Sequence, residues 1–405
     1  GKTYTEPQKD ENDVYLIGSP DELMWFNKNG KTSDSVKLTN DICINEDVTI
    51  EDTSKLYKWT PIGWYKDYNT SDKYKGTFDG NGHTISGLYI SGTGNYVGLI
   101  GYAGNGSKIC DLTLKNSSIS STGSNVGAIA GDAYVVENCH VFDTDVHGKD
   151  TVGGIAGTVD KAIVQSSSAA NVTGNSYVGG VAGRIQSDDS SAMSECFNTG
   201  SVTGASVVGG LTGNLYNGGT ISDCYNTGSV TATTKSSGMA GGLLGNFRYG
   251  TLKNSYSSTV PTAAKAGTVV GCLEWAGGQK TLTNVYVLSD EAVTETVGNL
   301  KGFTIQNGEA VAKTPDELKA LTSADLSDKF TADSETINGG YPILAWQNSG
   351  SDEPVDPDHP AIDPNGWDGK ASATEPETVG GVYKIASAAD LKWFADHAAA
   401  TPAIQ

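Results

Sequence analysis

Acidic residues recur at one place in a repeated sequence, and paired carboxylates are the groups that cleave glycosidic bonds. Asp111, Glu195 and Asp223 each follow a short apolar run. Glycoside hydrolysis needs two carboxylates about 5–10 Å apart on one face. Amides hold the related places in other copies, namely Asn138, Gln165, Asn254 and Asn284. This mixture predicts a turn or ladder position that accepts Asn and Asp alike, rather than a catalytic pair.

Two other kinds of chemistry have weaker support. A lyase would need a basic residue beside acids of the calcium-binding type, and Arg184 and Arg248 lie 64 residues apart with no such cluster beside either. His140 and His147 occur near two aspartates, a pattern more typical of a solvated turn than of a metal site. We therefore expect no catalytic residues, no cofactor and no metal site in this chain.

The six cysteines do not have the spacing of a zinc site, because the chain contains no C-x-x-C pair. Cys139, Cys196 and Cys224 share one repeat position, which serines fill in other copies. This alternation predicts free, buried thiols in a ladder. Distance would allow a bridge between Cys196 and Cys224 on neighbouring turns, but parallel side-chain directions argue against it. The other three cysteines have no evident partner.

An aromatic-rich loop near the N-terminus is the best candidate for a binding surface. Exposed aromatic rings stack on sugar rings or on peptide side chains. The alternative is that Trp59 and Trp64 plug the N-terminal end of the core. The residues of this predicted ligand-binding loop are Trp59, Trp64, Tyr65, Tyr68 and Tyr74.

All these residues are set in a chain that repeats itself. The motif V-G-x-x-x-G occurs at 126–131, 152–157, 178–183 and 208–213, and looser copies flank it. The closing glycines recur at intervals of 26, 30 or 32 residues, a period typical of solenoids. Each unit holds up to three short β runs, which can satisfy their backbone by pairing with the same run one turn on. The sequence predicts an all-β fold, a right-handed parallel β-helix (solenoid) with short helical caps.

Glycines mark every copy of the motif. We expect them to remove side chains where the coil turns or where its walls approach closely. A phosphate-binding loop would need a helix directly after the glycines, and none is predicted there. The predicted structural turn glycines are Gly127, Gly153, Gly154, Gly179, Gly180, Gly209, Gly210, Gly241 and Gly242.

Helical signals flank the array and help to divide the chain. Ser19-Pro-Asp-Glu22 and Thr314-Pro-Asp-Glu317 each combine a capping residue, a proline and first-turn acids. After a Pro- and Asp-rich stretch, residues of 382–394 repeat those of 14–26 at a constant offset of 368. The predicted parts are an N-terminal cap with the first turns (1–95), the array (96–288), a C-terminal cap (289–348), a linker (349–368) and the start of a second tandem unit (369–405).

Charge and hydropathy limit the partners. A formal net charge of −20 without a basic run argues against nucleic acid, and against anionic polymers in general. No stretch of 18 apolar residues occurs, so direct membrane insertion is not expected. We expect a monomeric module within a longer chain.

The array resembles the GLUG-motif repeats of bacterial surface proteins. The resemblance rests on Val152-Gly-Gly-Ile-Ala-Gly157 with Cys139, and on 208–213 with the segment from Cys224 to Val230, and it covers most of residues 14–348. Such repeats occur in large secreted or wall-attached proteins, including adhesins and the non-catalytic region of IgA-cleaving metallopeptidases. The H-E-x-x-H signature of those peptidases is absent here.

The resemblance implies a non-catalytic, extracellular module at the cell surface or cell wall, either an adhesin or a stalk. Its expected partners are host or cell-surface glycans or proteins. Two alternatives stay open at this point: a β-helix polysaccharide hydrolase or lyase, and an accessory region of a secreted protease.

Overall fold

Short strands that pair with their own repeat one turn later build the molecule. Val126 pairs in parallel with Val152, which pairs with Val178, and the series continues to Val208 and Ala240. The result is a parallel β-solenoid of about eight turns, which confirms the predicted fold class. A fully developed turn contains five strand segments, here named A to E in chain order, rather than the three predicted. The two extra segments arise because the strand path bends twice more within each turn.

A computed structural model describes residues 4–67, 69–275 and 277–348, with the antiparallel pair Thr378–Val379 and Val382–Tyr383. The chain divides into two units, 1–347 and 348–405. Most of the predicted linker and second tandem unit lies outside the described residues.

Segment A is a separate six-stranded sheet that carries the glycine motif. Its strands are Val126–Gly127, Asp150–Gly153, Ser176–Gly179, Val207–Gly209, Met239–Gly241 and Lys265–Gly267.

Segments B to E belong to one large sheet that wraps around the rest of the turn. Several long strands bend through more than one segment: Lys108–Ser121, Ala130–His147, Ala156–Val164, Ser167–Gly174, Gly250–Ser257 and Lys280–Leu288. The shorter strands of segment B are Ile100–Tyr102, Ala182–Ile185, Thr212–Leu215, Leu244–Phe247, Val270–Cys272 and Val297–Asn299. Those of segments C to E are Met193–Ser194, Thr220–Ser222, Phe197–Asn198, Tyr225–Asn226, Val202–Gly204 and Val230–Ala232.

The remaining elements lie near the two ends. Before the array come the strands Gln8–Lys9, Tyr15–Ile17, Val36–Leu38, Ile42–Cys43, Thr77–Asp79, Thr84–Ser86 and Tyr89–Gly92, and the hairpin Trp64–Asp67 with Thr70–Asp72. After it come Ala310–Lys313, Phe330–Thr331 and Ile343–Leu344. The helices are Pro20–Asn29 and Pro315–Lys319, with single 3₁₀ turns at Thr53–Lys55 and Ala345–Gln347.

Glycines let neighbouring turns touch through their backbones. A β-carbon on Gly179 would lie 2.6 Å from the backbone nitrogen of Gly213 and 2.7 Å from the Cα of Thr212, both on the next turn. A β-carbon on Gly180 would lie 2.5 Å from the side-chain nitrogen of Asn198. Neither glycine has a positive φ. Close approach of walls, not the turning of the chain, is therefore the reason for glycine at these two positions.

A ladder of side chains lines the bend between segments C and D. Each member has a left-handed backbone, with φ between +47° and +57°. Asn and Asp tolerate this conformation best among residues with a side chain. The members are Asp111, Asn138, Gln165, Glu195, Asp223, Asn254 and Asn284. This confirms the predicted turn position and explains why amides and acids alternate there.

A capped helix covers the N-terminal end. The Ser19 hydroxyl accepts a hydrogen bond from the Glu22 backbone N–H, and the Glu22 carboxylate accepts one from the Gly18 N–H at 2.8 Å. Leu23 and Phe26 then face inward and are buried in the main core. The first turn thus receives an apolar cover that protects its core from water.

One column of segment D is aromatic and faces away from the main core. Neighbouring rings stack nearly in parallel, with centroids 4.7 Å apart for Phe197 and Tyr225 and 5.2 Å apart for Tyr225 and Tyr256. Such a stripe would be a large apolar patch if it met water. In register, the column reads His140, Ser167, Phe197, Tyr225, Tyr256 and Tyr286.

The C-terminal part of the solenoid unit covers this column. Residues 314–347, here called the strap, run back along the solenoid and form a second apolar cluster with the aromatic column. The buried strap residues are Leu318, Leu321, Leu326, Phe330 and Leu344. The segment predicted as a C-terminal cap therefore divides in two, because the residues before the strap pack against the main core instead, namely Val297, Phe303, Ile305 and Ala310.

Trp346 anchors the far end of the strap. Its ring lies 5.2 Å from the His140 ring and 5.7 Å from the Phe197 ring, the two rings that flank the small Ser167 in the column. Its indole N–H also donates to the backbone carbonyl of Glu195 at 3.1 Å. Because Ser167 has no ring, the column has room for one aromatic side chain from outside.

We predict that Gly179→Val lowers the free energy of unfolding by about 3 kcal/mol or prevents folding, because the added side chain meets the backbone of the next turn. Chemical denaturation followed by circular dichroism measures the effect. Gly92→Val is the matched control, since a β-carbon on Gly92 meets nothing within 4 Å. Equal stability of the two variants would contradict the close-packed coil.

We also predict that Trp346→Ala lowers the free energy of unfolding by about 3 kcal/mol, through loss of the ring contacts and of the indole hydrogen bond. Trp64→Ala serves as the control, because Trp64 is 49% exposed. Thermal unfolding of both variants tests whether the strap is part of the cooperative unit. A Trp346→Ala protein as stable as Trp64→Ala would show that the strap contributes nothing.

Candidate functional site

The outward side of segment B carries both arginines of the chain together with several acidic and aromatic side chains. Every second residue of these strands faces outward, as at Arg184, while the residue between, such as Ile185, is buried in the core. One outward column reads Tyr102, Asp132, Thr158, Arg184, Asn214, Asn246 and Cys272. A second outward column lies two residues after the first one in each turn, and its members include Asp160, Tyr216, Arg248 and Glu274. We call this surface the segment B face.

The two arginines of the chain meet on this face. Arg184 comes from the turn before Tyr216 and Arg248 from the turn after it. Their guanidinium carbons lie 5.0 Å and 4.1 Å from the centroid of the Tyr216 ring. Arg248 also lies 4.6 Å from the Trp275 ring, which contacts Tyr249 at 5.1 Å between centroids. These five side chains form a continuous stack, here called the arginine–aromatic stack.

Buried and polar contacts hold the stack in place. The ammonium of Lys280, a fully buried residue, donates to the backbone carbonyl of Trp275 at 2.8 Å. The Tyr249 hydroxyl donates to the Asn217 side chain at 3.0 Å. Because the neighbours are fixed in this way, the indole of Trp275 stays at the surface, where it is 40% exposed.

A cluster of three tyrosines lies on the same face, nearer the N-terminus. The centroid of the Tyr65 ring is 5.1 Å from that of Tyr96 and 5.1 Å from that of Tyr102, and the rings of Tyr96 and Tyr102 are 4.8 Å apart. All three contacts are edge-to-face, the arrangement that aromatic quadrupoles favour. Lys73 lies over the Tyr102 ring at 5.0 Å.

A pair of carboxyl groups lies between the tyrosine cluster and the arginines. Burial, together with the nearby charge of Asp160 and a hydrogen bond to it, raises the pKa of Asp132 well above its usual range. Burial also raises the pKa of Asp160. One Asp132 oxygen and the Arg184 Nε are buried without a hydrogen-bond partner. Burial and mutual repulsion thus favour the neutral form of these carboxyl groups.

The structure separates the residues of the predicted aromatic loop. Trp59 is 1% exposed and donates its indole N–H to the Leu99 carbonyl at 3.0 Å, and Tyr74 is fully buried. These two residues belong to the core, so their assignment to a ligand-binding surface was wrong. Tyr65 joins the tyrosine cluster and Trp64 is exposed, whereas Tyr68 lies outside the described residues. The alternative, in which these tryptophans fill the N-terminal end of the core, therefore holds for Trp59 but not for Trp64.

The repeated acids are engaged in the ladder between segments C and D. The Asp111 carboxylate accepts a hydrogen bond from the Asn138 amide at 2.8 Å, and the Asp223 carboxylate accepts one from Asn254 at 3.2 Å. Glu195 accepts one from the Gln165 amide at 3.2 Å. Amide-to-carboxylate bonds along the column give these acids a structural role.

The histidines of the weak metal pattern are engaged with polar side chains. The His140 ring bonds to the Ser167 hydroxyl at 2.8 Å and to the Asn138 side chain at 2.9 Å, and burial lowers its pKa to about 4. His147 bonds to the Thr173 hydroxyl at 2.8 Å. These contacts leave His140 neutral at physiological pH and tie both rings to neighbouring turns.

One group of possible metal ligands occurs among the described residues. Single ligand atoms of Asp79, Cys110 and Asp111 lie within 4.8 Å of one another. Burial and the neighbouring acids raise the pKa of the Cys110 thiol to about 12. A thiol binds metal only as the thiolate. This group therefore lacks a good donor at neutral pH.

The cysteines are free thiols, and all but Cys43 are buried. Cys139, Cys196 and Cys224 occupy the predicted ladder position, and the Ser166 hydroxyl accepts from the backbone N–H of Cys139. Among the described residues, no helix has the length and apolar composition needed to cross a membrane.

Sequence reasoning missed the arginine–aromatic stack. Arg184 and Arg248 are separated by 64 residues, but the two turns between them bring both onto one ring. The register between successive turns is the signal in the sequence that could have revealed this stack. Aligning the copies of the glycine motif places Arg184 one residue after Gly183, and Tyr216 and Arg248 three residues after Gly213 and Gly245.

Comparisons with known proteins agree on the repeat. A family model described as the GLUG motif matches residues 204–231. Halomucin of Haloquadratum walsbyi is 38% identical over 163 residues, which are 39% of this chain and 2% of halomucin. A proposed Gly-rich membrane protein of Evansella cellulosilytica is 36% identical over 87 residues, 20% of this chain and 10% of that protein. The chain thus spans only a small part of these relatives.

A solved structure agrees with the fold. The crystal structure of a proposed immunoglobulin A1 protease from Bacteroides ovatus superposes with a TM-score of 0.53 and 19% identity, over 85% of this chain and 96% of that one. The turns, their register and the motif match lead to one conclusion. The chain carries a GLUG motif at residues 204–231 and has a parallel β-solenoid fold.

Proposed function

We propose that this chain is a non-catalytic module of a large extracellular surface protein, an adhesin whose segment B face binds saccharides. Two relatives support the location, since one is named halomucin and the other a Gly-rich membrane protein. Both match this chain over a small part of their length, as expected for one module in a long repeat protein.

The arginine–aromatic stack carries the proposal. Trp275 exposes 40% of its surface on a face where Tyr216 and Tyr249 present further rings. Aromatic rings bind the apolar faces of sugar rings, and an exposed indole held in place by its backbone loses little entropy on binding. A rigid solenoid also fixes the spacing of successive rings, which preorganises the surface for an extended ligand.

The tyrosine cluster extends the same surface toward the N-terminus. Tyr65 comes from the hairpin Trp64–Asp67, whose other aromatic side chain, Trp64, is exposed. A linear saccharide lying along the solenoid axis would meet the stack and then the tyrosines. The predicted role of Trp64 and Tyr65 in binding stays part of the proposal in this form.

Glycan hydrolysis is the weaker proposal for this face. Asp132 and Asp160 are joined by a hydrogen bond, so their carboxyl groups are closer than the roughly 5 Å that a retaining glycosidase requires. The carboxylates of the ladder between segments C and D already accept hydrogen bonds from amide side chains. We therefore propose binding without cleavage.

A glycan array followed by titration calorimetry tests the proposal. Trp275→Ala is expected to weaken saccharide binding at least tenfold, the effect of removing about 1.5 kcal/mol of stacking. Val311→Ala is the matched control, because Val311 is similarly exposed at 44% but lies on the aromatic column of segment D. Binding to proteins but to no saccharide, or equal loss in both variants, would contradict the proposal.

A reducing-sugar assay on the same glycans tests the absence of cleavage. We expect no sugar release. Release by the intact chain that Asp132→Asn abolishes would replace the binding proposal with a catalytic one.

The carboxyl pair also predicts a pH dependence of stability. Because the pKa of Asp132 is raised in the folded state, the folded chain holds more protons than the unfolded chain above about pH 4. Its contribution to stability therefore falls as the pH rises through the folded pKa. Asp132→Asn should flatten this decline and raise the melting temperature at pH 7, whereas exposed Asp188→Asn should not. A steeper decline in Asp132→Asn would contradict the raised pKa of Asp132.

A further inference from the structure

Among the described residues, the two arginines have no acidic partner, unlike several lysines of the chain. Lys9, Lys108, Lys161 and Lys301 each lie within ion-pair distance of a carboxylate. Within the described part of the chain, neither Arg184 nor Arg248 has a carboxylate within 4.0 Å or a side-chain hydrogen bond. In a protein with a net charge of −20, two unpaired guanidiniums on one ring are an unusual arrangement.

The acid nearest to the stack in sequence is already engaged. Glu274 pairs with Lys301 at 2.7 Å and accepts hydrogen bonds from Tyr177 at 2.9 Å and Asn246 at 3.2 Å. Its carboxylate is thereby tied to the Lys301 side of the face. The guanidiniums stay available because their natural competitor has three other partners.

The carboxyl pair on the other side is a weak competitor for the guanidiniums. Burial raises the pKa of both Asp132 and Asp160, which favours their neutral forms. The Arg184 Nε is nevertheless buried without a hydrogen-bond acceptor. A buried donor without a partner costs free energy, and the carboxyl pair does not relieve that cost at this atom.

Stacking leaves the edges of the guanidiniums free. A guanidinium that lies over an aromatic ring keeps its N–H groups in the plane, directed away from the ring, in the fork that fits a carboxylate or a sulfate. At Arg248 this fork is next to the Trp275 indole, 4.6 Å from its centroid. One ligand could therefore place a sugar ring on Trp275 and an acidic group on the arginines.

We propose that the arginine–aromatic stack selects saccharides that carry a carboxylate or sulfate group. This inference rests on the proposed function and names its ligand class. It differs from the expectation drawn from composition, which disfavours anionic polymers. The two agree physically, because a net charge of −20 repels a long polyanion, whereas a single acidic sugar interacts mainly with the local guanidiniums.

Titration calorimetry of the full chain with three matched sugars tests the inference. Lactose, sialyllactose and sulfated lactose share a neutral core and differ in the acidic group. We expect at least one acidic sugar to bind tenfold or more tightly than lactose, the ratio typical of a charge-assisted hydrogen bond. Comparison of the two acidic sugars tells carboxylate from sulfate. Equal binding of all three overturns the inference but leaves the proposed function standing, while no binding of any saccharide on the array or in this titration overturns both.

Substitution of the arginines tests the assignment to this site. Arg184→Gln with Arg248→Gln should abolish the preference for acidic sugars, so that the acidic sugars and lactose bind this variant within about threefold of one another. Lys149→Gln with Lys235→Gln removes the same charge from two exposed lysines and should keep the preference. If the arginine variant unfolds, Arg248→Lys keeps the charge without the planar fork and should reduce the preference at least threefold. A preference that survives both arginine variants, or that the lysine variant also loses, overturns the inference.

Discussion

Backbone-to-backbone contact between successive turns is the constraint on which the structure depends. At Gly179 the next turn is so close that a β-carbon would sit 2.7 Å from the Cα of Thr212, and Gly153 and Gly209 meet their neighbours in the same way. Parallel strands about 4.8 Å apart can then satisfy each other's N–H and C=O groups around the whole turn. Every other regular feature follows from this stacking, because a residue that recurs at one position must pack against its own copies.

Because each repeat position packs against its own copies, similar side chains stack into columns both inside the solenoid and on its surface. Inside, small polar residues form columns, as where the buried Asn198 amide donates to Asn226 at 2.9 Å. Outside, aromatic residues stack into a stripe on segment D and into the arginine–aromatic stack on segment B. The strap covers the first of these and leaves the second open. This difference supports the proposal that a partner binds segment B, since the apolar rings of segment D are already covered within the chain.

Much of the fold could be predicted from the sequence, for reasons that lie in single residues. The spacing of Gly157, Gly183 and Gly213 reveals the turns, and Ser19-Pro20 reveals the N-terminal helix. The Asn and Asp mixture at Asn138 and Asp223 reveals a left-handed bend. These signals are local, so they can be recognised in the sequence without knowledge of the packing.

The strap and the site could not be predicted in the same way. Leu318 and Trp346 look like a cap in sequence, and only the gap at Ser167 in a distant column shows where Trp346 docks. Trp59 and Trp64 are equivalent in type and nearly adjacent, yet one is buried and the other is 49% exposed. Arg184 and Arg248 become neighbours only when the number of residues in each turn is known. Side-chain direction and register between turns decide these cases, and both are tertiary properties.

A crystal structure of the chain with a bound oligosaccharide tests the central claim most directly, because it locates the ligand without assuming its identity. We predict a sugar ring within about 4 Å of Trp275, in van der Waals contact with the face of the indole. An oligosaccharide bound on another face, with the arginine–aromatic stack bare, would contradict it.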